Sequence, residues 1–234
     1  MNSSVEPAGD WPAALIFDLD GTLIDSAPDI AAAVERTLAE HDVSIDAAEI
    51  RDYIGDGAAR LIERVLAARE LPVPDETALA QYVADFNAHY HAIPAAYTRC
   101  YDGAAEMLRR ARRAGRKIAL CTNKPQAVAE RVLAELDLLG EFDVLVGAGT
   151  YALKPDPEPL YACIDQLGVV SNDALYIGDM AVDRDVARAA DVAVVLVSFG
   201  YAHDDVAHFG PEGVLHAWAE WPDLLARLSR ARQE

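Results

Sequence analysis

Two aspartates stand two residues apart at the end of an apolar run near the start of the chain. The run 14–17 leads into Asp18, and Asp20, Gly21 and Thr22 follow. A short apolar run bounded by turn residues predicts a buried strand, and the two-residue period of a strand points both carboxylates the same way. Two buried acids are costly without a cation or hydrogen-bond donors. An ordinary acidic turn is the alternative that this stretch alone leaves open.

Three later segments place further polar side chains after predicted strands. Thr122 follows one strand, Lys154 follows the next, and Asp179 follows a third, with Asp183 four residues on. Each has a structural alternative: a helix cap for Thr122, a helix-entry acid for Asp179 and solvated positions for the other two. All four residues follow predicted strands, and ligands of an open parallel sheet bind beyond the carboxyl ends of its strands. Their common position therefore favours a role in binding or catalysis over these structural alternatives.

Carboxylates, a hydroxyl and an ammonium at one edge of a sheet are the groups that phosphoryl transfer uses. Oxygen ligands suit Mg²⁺, which is commonly held by one or two carboxylates together with water and substrate phosphate. A carboxylate can also attack phosphorus and form an aspartyl-phosphate. The remaining work is positioning and charge neutralisation, which the hydroxyl and the ammonium supply.

The elements that must position these side chains alternate between strand and helix from about Tyr97 onward. Together with the opening run, the predicted strands are 13–18, 117–121, 143–146, 174–177 and 193–197. The predicted helices between and after them are 103–114, 125–137, 157–167, 181–190 and 222–230. This alternation, with strands rich in Val, Ile and Leu, predicts an α/β fold: a Rossmann-like parallel sheet covered by helices on both faces.

The segment between the first strand and the rest of the predicted sheet has no convincing strand. Helical spacing begins near Ser26 and Pro28 and returns at 58–69 and 75–91. We therefore expect an inserted all-helical cap domain at 25–96, with the core domain formed by 1–24 and 97–234. Residues 1–12 are expected to be a loose leader without the features of a signal peptide.

Composition and charge narrow the classes of partner and the cellular location that are expected for this protein. The formal charge of −19 argues against nucleic acid and anionic membranes as partners. It leaves room for an anionic small molecule, since a divalent metal can make a local site positive. Three cysteines without metal-type spacing predict reduced thiols and a cytoplasmic protein. The longest apolar stretch, near 192–197, is far short of the ~20 residues that span a bilayer.

The ordered motifs resemble those of the haloacid dehalogenase-like (HAD) hydrolase superfamily. The segment 18–22 matches its Asp-x-Asp-x-Thr strand end, and Thr122 matches its second motif. Lys154, ahead of a Pro-rich helix start, matches the third, and Gly-Asp at 178–179 with Asp183 matches the fourth. The resemblance covers nearly the whole chain after the leader, and the helical block lies where this superfamily inserts its cap domain.

Within the superfamily the sequence is similar to bacterial phosphoglycolate phosphatases. The segments that carry this similarity are 25–29, 53–58, 122–125 and 198–201. One departure is the segment 180–182, Met-Ala-Val, where small polar residues are more usual.

The resemblance implies roles for the acidic residues. Asp18 is expected to attack phosphorus, and Asp20 to protonate the leaving alkoxide and then deprotonate the hydrolytic water. Mg²⁺ is expected to bind the side chains of Asp18 and Asp179 and the backbone carbonyl of Asp20, with Asp183 supporting from nearby. Because dehalogenases attack carbon and need no acid two residues on, Asp20 also disfavours a dehalogenase.

The same resemblance implies the groups that hold the substrate. Thr122, Asn123 and Lys154 are expected to bind the phosphoryl oxygens. The cap turn Gly55-Asp56-Gly57 is a candidate for substrate specificity, because helix N-termini present free amides to anions. An ordinary interhelical turn is the alternative for this segment.

The function these features predict is a Mg²⁺-dependent phosphatase for a small phosphorylated metabolite, with 2-phosphoglycolate the best single substrate and a homodimer possible. Three alternatives stay open. They are a phosphatase for a sugar phosphate, nucleotide or pyrophosphate, a phosphotransferase resembling β-phosphoglucomutase, and a non-catalytic binding protein on the same fold.

Overall fold

The structure, a computed structural model, describes residues 11–92 and 95–233. The strands are β1 Ala14–Phe17, β2 Ile24–Asp25, β3 Arg99–Cys100, β4 Lys117–Pro125, β5 Val144–Ala148, β6 Ala174–Gly178, β7 Ala193–Val197 and β8 Gly213–Leu215. The α-helices are α1 Ala27–Thr37, α2 Ala47–Ile50, α3 Ala58–Ala68, α4 Glu76–Ala92, α5 Ala104–Arg113, α6 Gln126–Glu135, α7 Glu158–Leu167, α8 Ala181–Ala189 and α9 Trp221–Ala231.

Six strands form one parallel sheet in the order β5-β4-β1-β6-β7-β8. The first strand lies near the centre, where Phe17 is in register with Leu120 of β4 on one side and with Ile177 of β6 on the other. The carboxyl ends of β1, β4 and β6 therefore meet at one edge, as the sequence predicts.

Alternate side chains of β1 enter two different hydrophobic cores. Leu15 and Phe17 pack on the face that carries α5, α6 and α9, whereas Ala14 and Ile16 pack on the face that carries α7 and α8. All four are fully buried, which explains the continuous apolar run in the sequence. The predicted Rossmann-like core with a helical cap is confirmed.

The inserted segment contains the helices α1 to α4, and α4 packs on α1 and α3. The chain enters and leaves it through an antiparallel ribbon of β2 and β3, which the sequence did not predict. Asp29 of α1 ties the two connections together, because its carboxylate accepts hydrogen bonds from the backbone N–H and the hydroxyl of Thr98, at 2.8 and 2.6 Å. The domain boundaries 25 and 96 stay predictions.

Two differences from the predicted elements bear on the site. Strand β8 was not predicted, and β4 runs to Pro125 instead of ending at Cys121, with an irregular register between those residues. The extension rests on the pairing of Pro125 with Ala148 of β5, and next to it the side-chain oxygen of Gln126 accepts the N–H of Gly147. Thr122 therefore lies within a strand, and the helix cap considered for it falls to Pro125.

Two further sequence predictions concern the ends of the chain and the membrane. The predicted leader falls largely on residues 1–10, outside the described residues. Between residues 11 and 92 and from 95 to 233, no helix combines the length and apolar character needed to cross a membrane.

Candidate active site

The end of β1 places Asp18 and Asp20 at the carboxyl edge of the sheet. Asp18 is still held in the sheet, since its backbone N–H donates to the carbonyl of Ile177 at 2.9 Å. Gly21 then turns the chain with a φ of +87°, and a Cβ there would lie 2.2 Å from Oδ2 of Asp179. Glycine is required at this position both by the backbone conformation and by the close approach of Asp179.

Lys154 joins the motifs of β1 and β6. Its buried ammonium donates to Oδ1 of Asp18 at 2.8 Å, to Oδ1 of Asp183 at 2.7 Å and lies 2.9 Å from the hydroxyl of Tyr176. Burial alone would lower the pKa of Lys154, but the two carboxylates raise it above its usual value. Lys154 is therefore a fixed positive charge beside the predicted nucleophile.

Asp179 and Asp183 have different surroundings. Both oxygens of Asp183 are filled: Oδ1 by Lys154 and Tyr176, and Oδ2 by the backbone N–H groups of Asp179 and Met180 at 3.1 and 3.0 Å. Oδ2 of Asp179 accepts the N–H of Tyr201 at 2.7 Å, and within the described residues Oδ1 accepts one long hydrogen bond, from the Thr22 hydroxyl at 3.3 Å. Asp183 thus orients the start of α8, and Oδ1 of Asp179 can accept a further ligand.

These three acids form a cluster that could hold a metal ion. One carboxylate oxygen from each of Asp18, Asp179 and Asp183 lies within 4.8 Å of the others, and all three residues are buried. Burial raises the pKa of Asp18 to about 6, against the lowering effect of Lys154, and burial likewise raises the pKa of Asp179 well above its usual value. Among the described residues no hydrogen-bond donor reaches the second oxygen of Asp18. Two buried acids with raised pKa values fit a hard cation such as Mg²⁺, since Asp18 has an oxygen without a donor among the described residues and Asp179 has one with a single long hydrogen bond.

The side chain of Asn123, a predicted phosphate ligand, is committed to backbone groups. Its amide donates to the carbonyls of Gly55 and Lys154 at 3.0 and 3.1 Å, and its oxygen accepts the N–H of Lys154 at 2.8 Å. Asn123 therefore braces the loop that carries Lys154 and connects it to the cap. Its contact with phosphate stays a prediction. The contact of Thr122 with phosphate also stays a prediction; this residue is buried and, like Asn123, lines a cavity between the sheet edge and the cap.

Lys124 and Tyr90 are polar residues of this site that the sequence did not single out. The ammonium of Lys124 donates to both oxygens of Asp20, at 2.9 and 3.0 Å, and lies 2.5 Å from the hydroxyl of Tyr90 on α4 of the cap. The hydroxyl of Ser26 donates to Asp20 from the other side at 2.5 Å. The two-residue spacing of Thr122 and Lys124 was a usable signal, because an extended strand points both side chains the same way.

The three residues of the cap turn take different positions. Gly55 and Gly57 line the site cavity, and the Gly55 carbonyl accepts the Asn123 hydrogen bond. A Cβ on Gly55 would lie 2.5 Å from the sulfur of Met180, so the methionine that departs from the family pattern packs against the cap turn. Asp56 forms an ion pair with Arg64 of α3 and is not among the cavity-lining residues.

A cavity of about 510 Å³, its open mouth included, lies between the sheet edge and the cap. The cap contributes mainly apolar walls, from Ile30, Ile54, Ala58, Leu61 and Phe86, together with the Tyr90 phenol. The sheet contributes Asp18, Asp20 and the strand segment 122–125. The predicted catalytic acids thus line the cavity between the sheet edge and the cap.

Comparison with known proteins identifies the family. The chain matches the profile of the haloacid dehalogenase-like hydrolases over residues 15–197, and it belongs to that family. A phosphoglycolate phosphatase from Cereibacter sphaeroides is 43% identical over 216 residues, which cover 92% of this chain and 98% of that protein. Another, from Rhodospirillum rubrum, is 40% identical over 92% of this chain and 91% of that protein.

Solved structures agree on the fold. A crystal structure from Haemophilus somnus, described as that of a predicted phosphoglycolate phosphatase, has a TM-score of 0.82 at 24% identity and covers 92% of this chain and 98% of its own. The prediction of a hydrolase of this family, similar to phosphoglycolate phosphatases, is confirmed by the family match and the sequence relatives together.

Proposed function

We propose that the protein is a Mg²⁺-dependent phosphatase that acts through an aspartyl-phosphate on 2-phosphoglycolate. The observation that carries this proposal is the pairing of two acids on one strand end with separate cations. Asp18 is held by Lys154 beside Asp179, and Asp20 is held two residues further on by Lys124. The sequence relatives that share almost the whole chain carry the same activity in their names.

In the first step Asp18 attacks the phosphorus with its free oxygen, since Oδ1 is held by Lys154. A bond forms between that oxygen and phosphorus while the bond from phosphorus to the ester oxygen breaks. Asp20 enters this step as the protonated acid and donates its proton to the departing alkoxide, which leaves as an alcohol. Lys154 and the Thr122 hydroxyl neutralise charge on the transferring phosphoryl oxygens.

In the second step water attacks the aspartyl-phosphate. Asp20, now a carboxylate, takes a proton from the water as its oxygen bonds to phosphorus, and the bond to Asp18 breaks to release inorganic phosphate. The net reaction consumes one water and restores both carboxyl groups. The double use of Asp20 follows from its position two residues beyond the nucleophile and on the same edge.

Asp179 and the Asp18 oxygen that does not attack phosphorus would hold Mg²⁺, with the Asp20 carbonyl as a third protein ligand. The bound ion would neutralise charge on the nucleophile and on the phosphoryl group. Asp183 would act by keeping the Asp179 backbone and Lys154 in place, because its own oxygens are occupied by them.

Phosphate release measured with and without Mg²⁺ tests this proposal. We expect hydrolysis of 2-phosphoglycolate that is abolished by EDTA and restored by added Mg²⁺. Asp18→Asn should lower turnover by at least about 10⁴-fold, because the neutral amide cannot attack phosphorus. An Asp18→Asn protein that kept full turnover would exclude the nucleophile assignment. A strong preference for sugar phosphates or nucleotides across a metabolite series would exclude the substrate.

The cellular location and the oligomeric state of the protein stay predictions. All three cysteines are free thiols, as expected of the cytoplasm that we propose as its location. The homodimer is tested by measuring the mass of the protein in solution.

A further inference from the structure

The polar side chains of the site fall into two groups, one further along the chain than the other. The first contains Asp18, Thr122 and Lys154. The second contains Asp20 and Lys124, each two residues further along the chain than a member of the first. Because the phosphoryl group binds at the first group, the remainder of the substrate must face the second.

Within the part of the chain that the structure describes, the second group holds the one positive charge of the site besides Lys154, which is assigned to the phosphoryl group. Among the described residues that line the cavity, Asp18 and Asp20 are acidic, Lys124 is basic and no other carries a charge. The cap walls nearest to them are apolar, and the side chain of Lys124 is 2% exposed. A second anionic group on the substrate therefore has one cation to meet inside this cavity.

A group on the substrate could replace one of the present partners of the Lys124 ammonium. It donates to both oxygens of Asp20, lies 4.3 Å above the ring of Tyr90 and contacts the Tyr90 hydroxyl. Burial would lower its pKa, but Asp20 and Tyr90 raise it above the usual value, so it is a cation. Burial raises the pKa of Tyr90 to about 12, so the phenol is neutral. Among the described residues, the one carboxyl group that this lysine holds is that of Asp20, the predicted acid-base catalyst.

We propose that Lys124 recognises a carboxylate on the substrate and exchanges Asp20 for that carboxylate when the substrate binds. The inference rests on the proposed phosphatase function and deepens it, because it defines the substrate class as phosphomonoesters with an anionic group one carbon from the ester carbon. It makes Lys124 a residue that determines specificity.

The exchange also connects substrate recognition to the chemical step. In the free protein both oxygens of Asp20 accept hydrogen bonds from Lys124, and Ser26 adds a third to Oδ1. When Lys124 turns to the substrate, Oδ2 of Asp20 loses its partner and can face the ester oxygen. A phosphate ester without the carboxylate leaves the pair in place, so it should be a poor substrate even if it fits the apolar walls.

The test compares two substrates that differ in this one group. In 2-phosphoglycolate a carboxylate stands where ethyl phosphate has a methyl group. We expect the wild-type protein with Mg²⁺ to favour 2-phosphoglycolate in kcat/KM by at least about 100-fold, the scale of a hydrogen-bonded charge pair. In Lys124→Met the preference should fall to less than about 10-fold, mainly through loss on 2-phosphoglycolate.

Lys124→Gln provides a second variant, since its amide can still bond Asp20 and Tyr90 while lacking the charge. We expect the same loss of preference, and this variant decides the matter if Lys124→Met does not fold. The control is Lys117→Met at the opposite end of β4, where the lysine bonds the carbonyl of Leu167 outside the cavity. That variant should keep the wild-type preference.

Three outcomes would count against the inference, and they can be told apart. Equal losses on both substrates in the Lys124 variants would show that the lysine only positions Asp20, while the phosphatase function would stand. A wild-type protein that hydrolyses both esters without preference would refute carboxylate recognition directly. Release of phosphate from neither ester would remove the proposed function, and the inference with it.

Discussion

Replacing Lys154 by methionine tests the electrostatic design of the site most directly. Methionine has a similar length and keeps the packing, but it removes the ammonium that lies 2.8 Å from Asp18 and 2.7 Å from Asp183. The lysine side chain is 2% exposed, so water cannot take its place without opening the site. In metal-free protein the variant leaves a buried group of carboxylates without their counter-ion.

The magnitude follows from the burial of these acids. Asp18 already has its pKa raised from 3.8 to about 6 by burial, which corresponds to about 3 kcal/mol of lost folding stability above pH 6. Lys154 opposes that rise, so its removal should raise the pKa of Asp18 further. Removing one partner from a buried ion pair costs about 3–5 kcal/mol. We expect the free energy of unfolding of Lys154→Met to fall by about this amount at pH 7.5.

The sign of the pH dependence is a second, independent expectation. A carboxyl whose pKa is raised on folding destabilises the protein progressively as pH rises from its unfolded value, near 4, to its folded value. The difference between wild type and Lys154→Met should therefore shrink toward pH 5, to about 1–2 kcal/mol, because the acids can then bind protons. Urea unfolding in EDTA, followed by circular dichroism at pH 5 and pH 7.5, measures both quantities.

Two results would refute this reasoning. One is a variant whose stability at pH 7.5 is within about 1 kcal/mol of wild type, well below the range for a buried pair. The other is a deficit that is larger at pH 5 than at pH 7.5. The control is Lys117→Met, whose exposed lysine makes one backbone hydrogen bond and should cost about 1 kcal/mol or less at either pH.

Two other perturbations address the cap. Asp29→Ala should lower the free energy of unfolding by about 2–5 kcal/mol, because it leaves the buried N–H and hydroxyl of Thr98 without their acceptor. Urea unfolding measures this loss, and a loss below about 0.5 kcal/mol would contradict the prediction. Arg69 donates to both oxygens of Glu49 at 2.6 and 2.8 Å and lowers the pKa of that carboxyl below 4.5. A lowered pKa stabilises the protein above the unfolded value and loses this effect as pH falls through the folded value. Glu49→Gln should therefore cost up to about 1 kcal/mol at pH 7 and less near pH 3, as followed by thermal unfolding. An equal cost at both pH values would exclude the ion pair as its cause.

Much of the fold could be predicted from the sequence because its signals are local. The apolar run before Asp18 and the alternation of strands and helices require only short-range patterns and the burial of both faces of a parallel sheet. The short pieces β2, β3 and β8 could not be predicted in this way. Each has two or three residues, and what makes them strands is a partner far along the chain, as with Ile24 and Cys100.

The gathering of the acids, the hydroxyl and the lysine at the carboxyl edge could be predicted from the sequence, because strand ends in a parallel sheet must meet there. The pairing of these groups with one another could not, because it depends on contacts between distant parts of the chain. Asp20 and Lys124 are 104 residues apart, and Asn123 meets Gly55 across 68 residues. Such contacts depend on where the cap settles against the sheet, which is a matter of packing and burial that no local spacing encodes. The ion pairs that hold Asp18 and Asp20 are therefore a property of the folded molecule.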